Sequence, residues 1–248
     1  MSGDAALDKF AALDPTEIAL LLDFDGTLVD IAPTPDAVHV PDDLCGSLAR
    51  LLARTGGALA LVSGRPILVL DRLFSPLKFP IVGGHGAEMR VRDAAINMVA
   101  PLPGPLRQEL GRAAACDPGI LVEDKRYSVA LHYRNAPAQA ERLRDHIDAV
   151  LATFGDETID VLPGKALYEV KRPGASKGEA VRRLMTYAPF KGRKPVFVGD
   201  DVTDASVFAI LPDLDGIGFS VDVEFDNSAG VFRSPADVRR ALQQLADA

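Results

Sequence analysis

The fold is decided by the stretch Ile18-Ala19-Leu20-Leu21-Leu22-Asp23-Phe24-Asp25-Gly26-Thr27. A short apolar run that stops at polar turn residues is typical of a buried strand in a parallel sheet. Asp23 and Asp25 are two positions apart, so their side chains point the same way on an extended backbone. Open α/β sheets bind their ligands at the carboxyl ends of strands. The stretch therefore predicts two carboxylates at a ligand-binding strand end, although a lone Asp-x-Asp is also typical of an ordinary polar turn.

Further short apolar segments predict more strands of the same sheet, separated by helical patterns such as that of residues 42–54. The order of strands and helices predicts an α/β fold with a doubly wound parallel sheet, a Rossmann-like core. The predicted strands are residues 58–62, 79–82, 195–198 and, as the last one, 216–221. Polar residues follow three of them, namely Ser63 and Arg65, then His85, then Asp200, Asp201 and Asp204.

The pattern changes after Pro101, Pro103 and Pro105, which mark a predicted domain boundary. Residues 127–134 alternate apolar and polar side chains, which is typical of an antiparallel strand with one covered and one polar face. We therefore expect an inserted α+β cap domain at residues 104–170, within a core formed by residues 1–103 and 171–248.

Composition and charge narrow the class of protein. The 248 residues carry a formal net charge of −8 and no basic block, which argues against a nucleic-acid or membrane partner. No apolar run approaches the roughly 18 residues of a membrane helix, and the N-terminus lacks a signal pattern. A cytoplasmic location is the expectation, with Cys45 and Cys116 as reduced, largely buried thiols.

Four motifs occur in the order that the haloacid dehalogenase-like phosphatases have them. They are Asp23-Phe24-Asp25-Gly26-Thr27, Ser63-Gly64-Arg65, Lys177-Gly178 and Gly199-Asp200-Asp201. The chain thus resembles this superfamily of phosphoric monoester hydrolases. Each motif alone is weak, but the four together are a specific signal.

The resemblance implies roles that make chemical sense. Asp23 would be the nucleophile that forms an aspartyl-phosphate, and Asp25 the general acid and then the base that activates water. Ser63 would donate to a phosphate oxygen and Lys177 would balance charge, although Ser63 could instead cap a helix and Lys177 lie on the surface. Mg²⁺ would be held by Asp23, the backbone carbonyl of Asp25, and Asp200.

Two further acids follow the last motif. By the same resemblance, Asp201 and Asp204 would bind metal-bound water or orient the ligands, although Asp204 could equally be a turn or cap residue. The family usually has Glu where this chain has Ala205, which puts the metal affinity in doubt.

Segments over most of the chain, from about residue 19 to 221, are more specifically similar to the trehalose-6-phosphate phosphatases. They include Pro33-x-Pro35-Asp36, Gly84-His85-Gly86-Ala87-Glu88, His132-Tyr133-Arg134 and Pro163-Gly164-Lys165. In that family the insert is a cap that binds the sugar through polar side chains. By this resemblance the substrate-binding residues are Arg65, His85, Gly86, Glu123, Lys125, His132, Arg134 and Glu169.

These assignments have structural alternatives. Glu123 and Lys125 could form a charged hairpin edge. Arg65 and His85 could stabilise loops, and His132 and Arg134 could pair within the sheet.

The expected function is Mg²⁺-dependent hydrolysis of trehalose 6-phosphate to trehalose and phosphate. The alternatives are another substrate (sucrose phosphate, mannosyl-phosphoglycerate or a phosphomutase reaction) and a catalytically dead sugar-phosphate sensor. A trehalose-6-phosphate synthase on a separate chain is the expected pathway partner.

Overall fold

The computed structural model describes residues 3–32, 34, 37–92, 95–115, 117–155, 158–164 and 166–248. The sequence features at Pro33, Pro35, Asp36, Cys116 and Lys165 lie outside these residues. Two compact units are present, one of residues 1–98 and 176–248 and the other of residues 99–175. The second unit extends five residues further at each end than the predicted insert (99 against 104, and 175 against 170).

The two units contain eight helices and twelve strands within the described residues. In chain order they are α1 (Gly3–Ala11), β1 (Ile18–Leu22), α2 (Asp42–Arg54), β2 (Leu59–Val62), α3 (Ile67–Leu73), β3 (Ile81–Gly83), β4 (Glu88–Arg90), β5 (Ala95–Asn97), α4 (Gly104–Gly111), β6 (Leu121–Asp124), β7 (Ser128–His132), α5 (Ala140–Phe154), β8 (Asp160–Gly164), β9 (Leu167–Lys171), α6 (Lys177–Leu184), β10 (Lys194–Gly199), α7 (Ala205–Ile210), β11 (Ile217–Val221), β12 (Ser228–Phe232) and α8 (Pro235–Asp247).

The sheet of the first unit has eight strands in the order β12-β11-β10-β1-β2-β3-β4-β5. The six strands from β12 to β3 are parallel, and β4 and β5 add an antiparallel edge. Helices cover both faces of this sheet. The prediction of a doubly wound α/β fold is therefore confirmed.

Strand β1 lies in the middle of this sheet because its five residues are all apolar. Leu20 and Leu22 pack on one face, against a core that includes residues of α2 and α8. Ala19 and Leu21 pack on the other face, with residues of α6 and α7. A strand buried on both faces is the position that this continuous apolar run predicted.

The second unit is a four-stranded antiparallel sheet in the order β6-β7-β9-β8, with α4 and α5 on one face. Val129 and Leu131 of β7 point into the core beneath these helices, as their alternation predicted. Ser128 and Ala130 on the other face are also buried, although the sequence suggested a solvated polar face.

Four strands were not predicted: β4, β5, β8 and β12. β4 and β5 are three residues long, and β8 contains Pro163 and Gly164. The prediction that residues 216–221 form the last strand is wrong, because β12 follows. β12 was missed because its small residues Ala229 and Gly230 interrupt the apolar pattern. A small residue is needed at position 230, because Gly230 packs closely against Ala6 of α1.

No helix within the described residues is both long and apolar enough to cross a membrane. Cys45 is half-buried and forms no disulfide. The cytoplasmic location stays a prediction.

Candidate active site

A buried lysine links two carboxylates at the carboxyl end of β1. Lys177 begins α6 and is 3% exposed, which is possible because its ammonium group is paired. Its Nζ lies 2.7 Å from Oδ1 of Asp23 and 2.7 Å from Oδ1 of Asp204. The alternative of a solvated surface lysine is therefore wrong. The start of α6 is fixed by Ser176, whose side chain caps the helix at the N–H of Glu179.

Burial and charge act against each other in this group. Burial raises the pKa of Asp23 well above its usual range, and the nearby carboxylate of Asp204 adds to the effect. Burial alone would lower the pKa of Lys177, but Asp23 and Asp204 outweigh it and raise that pKa above its ordinary value. Lys177 therefore stays charged, and one ammonium group faces more than one carboxylate.

Asp200 joins these acids from the end of β10. Its Oδ1 accepts a hydrogen bond of 2.9 Å from the hydroxyl of Thr27, while burial still raises its pKa. Gly26, with φ of +81°, lets the loop after β1 pass so close that a Cβ there would overlap the Asp200 carboxylate. The sequence did not predict that Thr27 and Gly26 would hold Asp200.

Asp23, Asp200 and Asp204 together present carboxylate oxygens that lie within 4.8 Å of one another. Oxygen donors are what hard divalent cations bind, and the unbalanced negative charge of the group favours a cation. The residues present thus fit a divalent metal ion.

Asp201 is not part of this carboxylate group, contrary to its predicted place among the metal ligands. Its side chain is exposed and accepts the N–H of Val202 at 2.7 Å, capping a short 3-10 helix. Asp204 is fully buried, and its Oδ2 accepts the N–H groups of Asp200 and Asp201 at 3.0 Å each. Asp204 is thus both the cap residue that the sequence allowed and a member of the charged group.

Asp25 does not contact Lys177 but pairs with Arg65. Nε of Arg65 lies 2.7 Å from Oδ2 of Asp25, and Nη2 lies 2.8 Å from Oδ1. The guanidinium also lies over the ring of Phe24, 5.4 Å from its centroid. Asp25 remains 37% exposed, so its carboxylate is held in place and still reachable. The sugar contact predicted for Arg65 stays a prediction.

The loops after β2 and β3 pack against each other. Ser63 is buried, and its Oγ accepts the N–H of Arg65 at 3.1 Å, so it caps this turn rather than α3. His85 adopts a left-handed conformation (φ of +54°), and its imidazole lies so close to Gly64 that a Cβ there would overlap it. Left-handed backbone in a residue other than glycine carries strain and occurs both in turns and at functional sites.

Gly86 packs closely against a neighbouring helix, and its part in substrate binding stays a prediction. With φ of +96°, it brings the turn against the start of α6, where a Cβ would overlap the Ser176 carbonyl. Gly178 is equally close to the Ser206 carbonyl, and the Ser206 hydroxyl accepts the Gly178 N–H at 3.1 Å. Ser206 follows Ala205, so the position after the unusual alanine helps to hold the helix of Lys177.

In the second unit, four predicted substrate-binding residues lie together on one face of the sheet. Nζ of Lys125 lies 3.7 Å from both Glu123 Oε2 and Glu169 Oε1. His132 Nε2 is 3.5 Å from Glu123 Oε2, so this histidine lies beside the same carboxylate. The structure does not place Arg134 with them, and its side chain is exposed.

Comparisons with known proteins agree on one family. Residues 21–244 match the family model described as Trehalose-phosphatase. A probable trehalose-phosphate phosphatase of Sinorhizobium fredii is 42% identical over 99% of this chain and 95% of its own length. A trehalose-6-phosphate phosphatase of Escherichia coli is 37% identical over 93% of this chain and 87% of its own length.

Solved structures show the same fold at low identity. The C-terminal domain of a trehalose-6-phosphate phosphatase from C. albicans superimposes with a TM-score of 0.77 at 21% identity, covering 100% of this chain and 97% of that one. A phosphatase of the haloalkanoate enzyme superfamily from Bacteroides thetaiotaomicron gives 0.61 at 13% identity, covering 94% of this chain and 97% of that one.

Proposed function

The chain belongs to the trehalose-phosphatase family, and on this premise we propose that it hydrolyses trehalose 6-phosphate to trehalose and phosphate. The observation that carries the proposal is the pairing of Lys177 with Asp23 at the end of β1. A buried carboxylate held by a lysine, with a second carboxylate two residues away on Asp25, supplies a nucleophile and an acid.

In the first step a carboxylate oxygen of Asp23 attacks phosphorus, and the bond from phosphorus to the sugar oxygen breaks. Asp25 gives a proton to that leaving oxygen, so trehalose departs and an aspartyl-phosphate remains. In the second step water attacks phosphorus, Asp25 takes a proton from the water, and the Asp23 carboxylate is released with inorganic phosphate. Arg65 holds Asp25 so that one carboxyl group can serve both steps.

Lys177 and Ser63 have supporting roles in this proposal. The ammonium group of Lys177 offsets the repulsion between the Asp23 carboxylate and a phosphate dianion. The hydroxyl of Ser63, which accepts a backbone N–H, keeps its own hydrogen for a phosphate oxygen.

We propose Mg²⁺ as the metal, held by carboxylate oxygens of Asp23 and Asp200 and by the backbone carbonyl of Asp25. Such an ion supplies positive charge that draws the phosphate and the nucleophile together. Asp204 orients the group through Lys177 and the backbone of Asp200. Asp201, whose side chain accepts the Val202 N–H, would contact the ion only through bound water.

For the sugar we propose the charged face of the second unit. Glu123, Lys125, Glu169 and His132 offer several acceptors and donors, as the many hydroxyl groups of a disaccharide require. A site built to bind hydroxyl groups rejects analogues that lack them. The roles of His85 and Arg134 in sugar binding stay predictions, and a trehalose-6-phosphate synthase on another chain is the proposed source of the substrate.

The experiment measures phosphate release from trehalose 6-phosphate, glucose 6-phosphate, sucrose 6-phosphate and para-nitrophenyl phosphate, with Mg²⁺ or with a chelator. We expect Mg²⁺-dependent release, with the highest kcat/KM for trehalose 6-phosphate. A higher kcat/KM for another sugar phosphate would support the proposed reaction but contradict trehalose 6-phosphate as the substrate. No release from any of the four would favour a sugar-phosphate sensor instead.

A pair of variants tests the sugar-binding face. Glu169→Gln should lower kcat/KM for trehalose 6-phosphate by about tenfold or more, with para-nitrophenyl phosphate nearly unaffected. Glu141→Gln, at an exposed position of α5 in the same unit, is the matched control and should change neither. Equal losses on both substrates in Glu169→Gln would reject the assignment.

A further inference from the structure

Glu88, at the start of β4, is a buried carboxylate that has no part in the proposed reaction. It is 8% exposed, and its Oε1 accepts the backbone N–H of Ile67 over 2.7 Å. Ile67 is the first residue of α3, and Pro66 before it offers no side-chain cap. Glu88 therefore caps α3 from another strand, and its negative charge suits the N-terminus of that helix.

Two residues further along β4, Arg90 contacts the same helix. Side chains two positions apart on a strand share a face. Arg90 pairs with both oxygens of Asp71 at 2.7 Å and donates to the carbonyl of Phe79 at 2.9 Å. Since Asp71 lies one helical turn after Ile67, β4 holds α3 at two points and fixes its position and direction.

The helix α3 begins directly after the turn that carries Ser63 and Arg65. Within this turn Ser63 Oγ accepts the Arg65 N–H at 3.1 Å, and the Arg65 carbonyl accepts the N–H of Gly84 at 3.0 Å. Pro66 fixes its own φ between Arg65 and the capped N–H of Ile67. A shift of the start of α3 would therefore move Arg65, and with it the carboxylate of Asp25.

We propose that Glu88 is a positioning residue that sets the place of the acid Asp25 by fixing the start of α3 and thus Arg65. The inference rests on the proposed function, because it concerns the same proton transfer. Loss of the Glu88 carboxylate leaves the nucleophile pair of Asp23 and Lys177 in place. It impairs the step in which the leaving oxygen is protonated.

The test compares Glu88→Ala with Glu88→Gln on two substrates. A sugar oxygen is a poor leaving group that needs a proton, whereas para-nitrophenolate needs little help. We expect Glu88→Ala to lower kcat/KM for trehalose 6-phosphate by about tenfold or more, since small misplacements of catalytic groups cost up to about 10²-fold. For para-nitrophenyl phosphate the loss should stay within about threefold. Glu88→Gln retains an acceptor for the Ile67 N–H and should restore most of the activity.

Arg65→Lys, alone and combined with Glu88→Ala, shows whether Glu88 acts through Arg65. We expect kcat/KM of the double variant to lie within about twofold of that of the less active single variant, because both changes remove the same constraint. Arg90→Lys should show the same difference between substrates, even where Glu88→Ala does not fold. Arg50→Lys, at an exposed pair with Asp247, is the control and should keep full activity.

Equal losses on both substrates in Glu88→Ala, failure of Glu88→Gln to restore activity, or losses that multiply with Arg65→Lys would overturn the inference. Arg90→Lys with unchanged kinetics would also overturn it. Wild-type protein that releases no phosphate from trehalose 6-phosphate would instead overturn the proposed function, so the two failures are distinguishable.

Discussion

The guanidinium of Arg65 meets the carboxylate of Asp25 with two parallel hydrogen bonds, Nε to Oδ2 at 2.7 Å and Nη2 to Oδ1 at 2.8 Å. Such a pair fixes the plane of the carboxylate as well as its distance. An ammonium group in place of the guanidinium retains the charge and loses this orientation.

Arg65→Lys should therefore lower kcat/KM for trehalose 6-phosphate by about tenfold, because the acid is less well oriented. Arg182→Lys changes an exposed arginine that pairs with Asp213, and its kinetics should match those of wild type. Steady-state kinetics of the two variants decide the matter, and a fully active Arg65→Lys would show that the pair has no catalytic role.

Gly26 and Gly192 provide a matched pair of substitutions. Their φ angles are +81° and +82°, but a Cβ at Gly26 would overlap the Asp200 carboxylate, whereas nothing lies within 4 Å of one at Gly192. Gly192→Ala should lower the free energy of unfolding by about 1–2 kcal/mol through backbone strain and leave turnover unchanged.

Gly26→Ala should add a displaced Asp200 to that strain, so turnover should fall by about tenfold or more and the Mg²⁺ concentration for half-activity should rise. A magnesium titration of both variants checks this, with urea unfolding to measure strain. The same Mg²⁺ dependence in both variants would refute the role of Asp200 in holding the ion.

Asp204 and Asp201 are close in sequence and differ sharply in burial. Asp204→Ala leaves the N–H groups of Asp200 and Asp201 without their acceptor and removes a buried partner of Lys177, so the free energy of unfolding should fall by about 3–5 kcal/mol. Asp201→Ala removes only an exposed cap and should cost about 0.5–2 kcal/mol. Urea unfolding at pH 7 measures both values.

Activity should follow the same order, with near-complete loss in Asp204→Ala and most activity kept in Asp201→Ala. Should Asp201→Ala instead abolish magnesium-dependent turnover, the ligand assignment from the sequence would be right and the one drawn from burial wrong.

Asp71 makes stability depend on pH in the acid range. Its hydrogen bonds to Arg90, with a smaller effect of Lys78, lower its pKa from the ordinary value of 3.8. The folded state therefore favours the ionised form, and this stabilisation is complete above about pH 4 and is lost as pH falls through the lowered pKa.

Asp71→Asn should be less stable than wild type by about 1–3 kcal/mol at pH 7, and the difference should shrink as the pH drops below about 4. Urea unfolding at several pH values gives the curve. Asp148→Asn, which loses an exposed pair with Arg144, should differ from wild type by less than about 0.5 kcal/mol throughout. If the difference in the free energy of unfolding between wild type and Asp71→Asn persists at low pH, ionisation of Asp71 is not the cause of the stabilisation.

Much of the fold is predictable from the sequence because continuous apolar runs must be buried. The run 18–22 had to be a central strand, and the helical spacing of leucines in 42–54 gave α2 with its observed bounds. β4 and β12 were missed because their signals are weak. The three residues of β4 include two charged ones and so do not predict a strand. In the structure, contacts with α3 hold Glu88 and Arg90 in place.

The candidate site was only partly predictable for a different reason. Asp23 and Asp200 were expected at one edge of the sheet, since parallel strands end together, and Lys177 was placed with them by the family motifs. The spacing of the motif does not predict which of Asp201 and Asp204 is buried. A tight turn points Asp204 into the core and leaves Asp201 in solvent, and this depends on backbone hydrogen bonds that the sequence does not display.

The central place of β1 has a consequence for how the protein is made. Ile18 of β1 pairs with Lys194 of β10, so β1 is synthesised well before this neighbouring strand. Contacts so distant in sequence form slowly. Residues 99–175 are complete before β10 emerges from the ribosome, so the second unit has all its strands while β1 still lacks one partner. The apolar segment that ends in Asp23 is thus open to aggregation during synthesis.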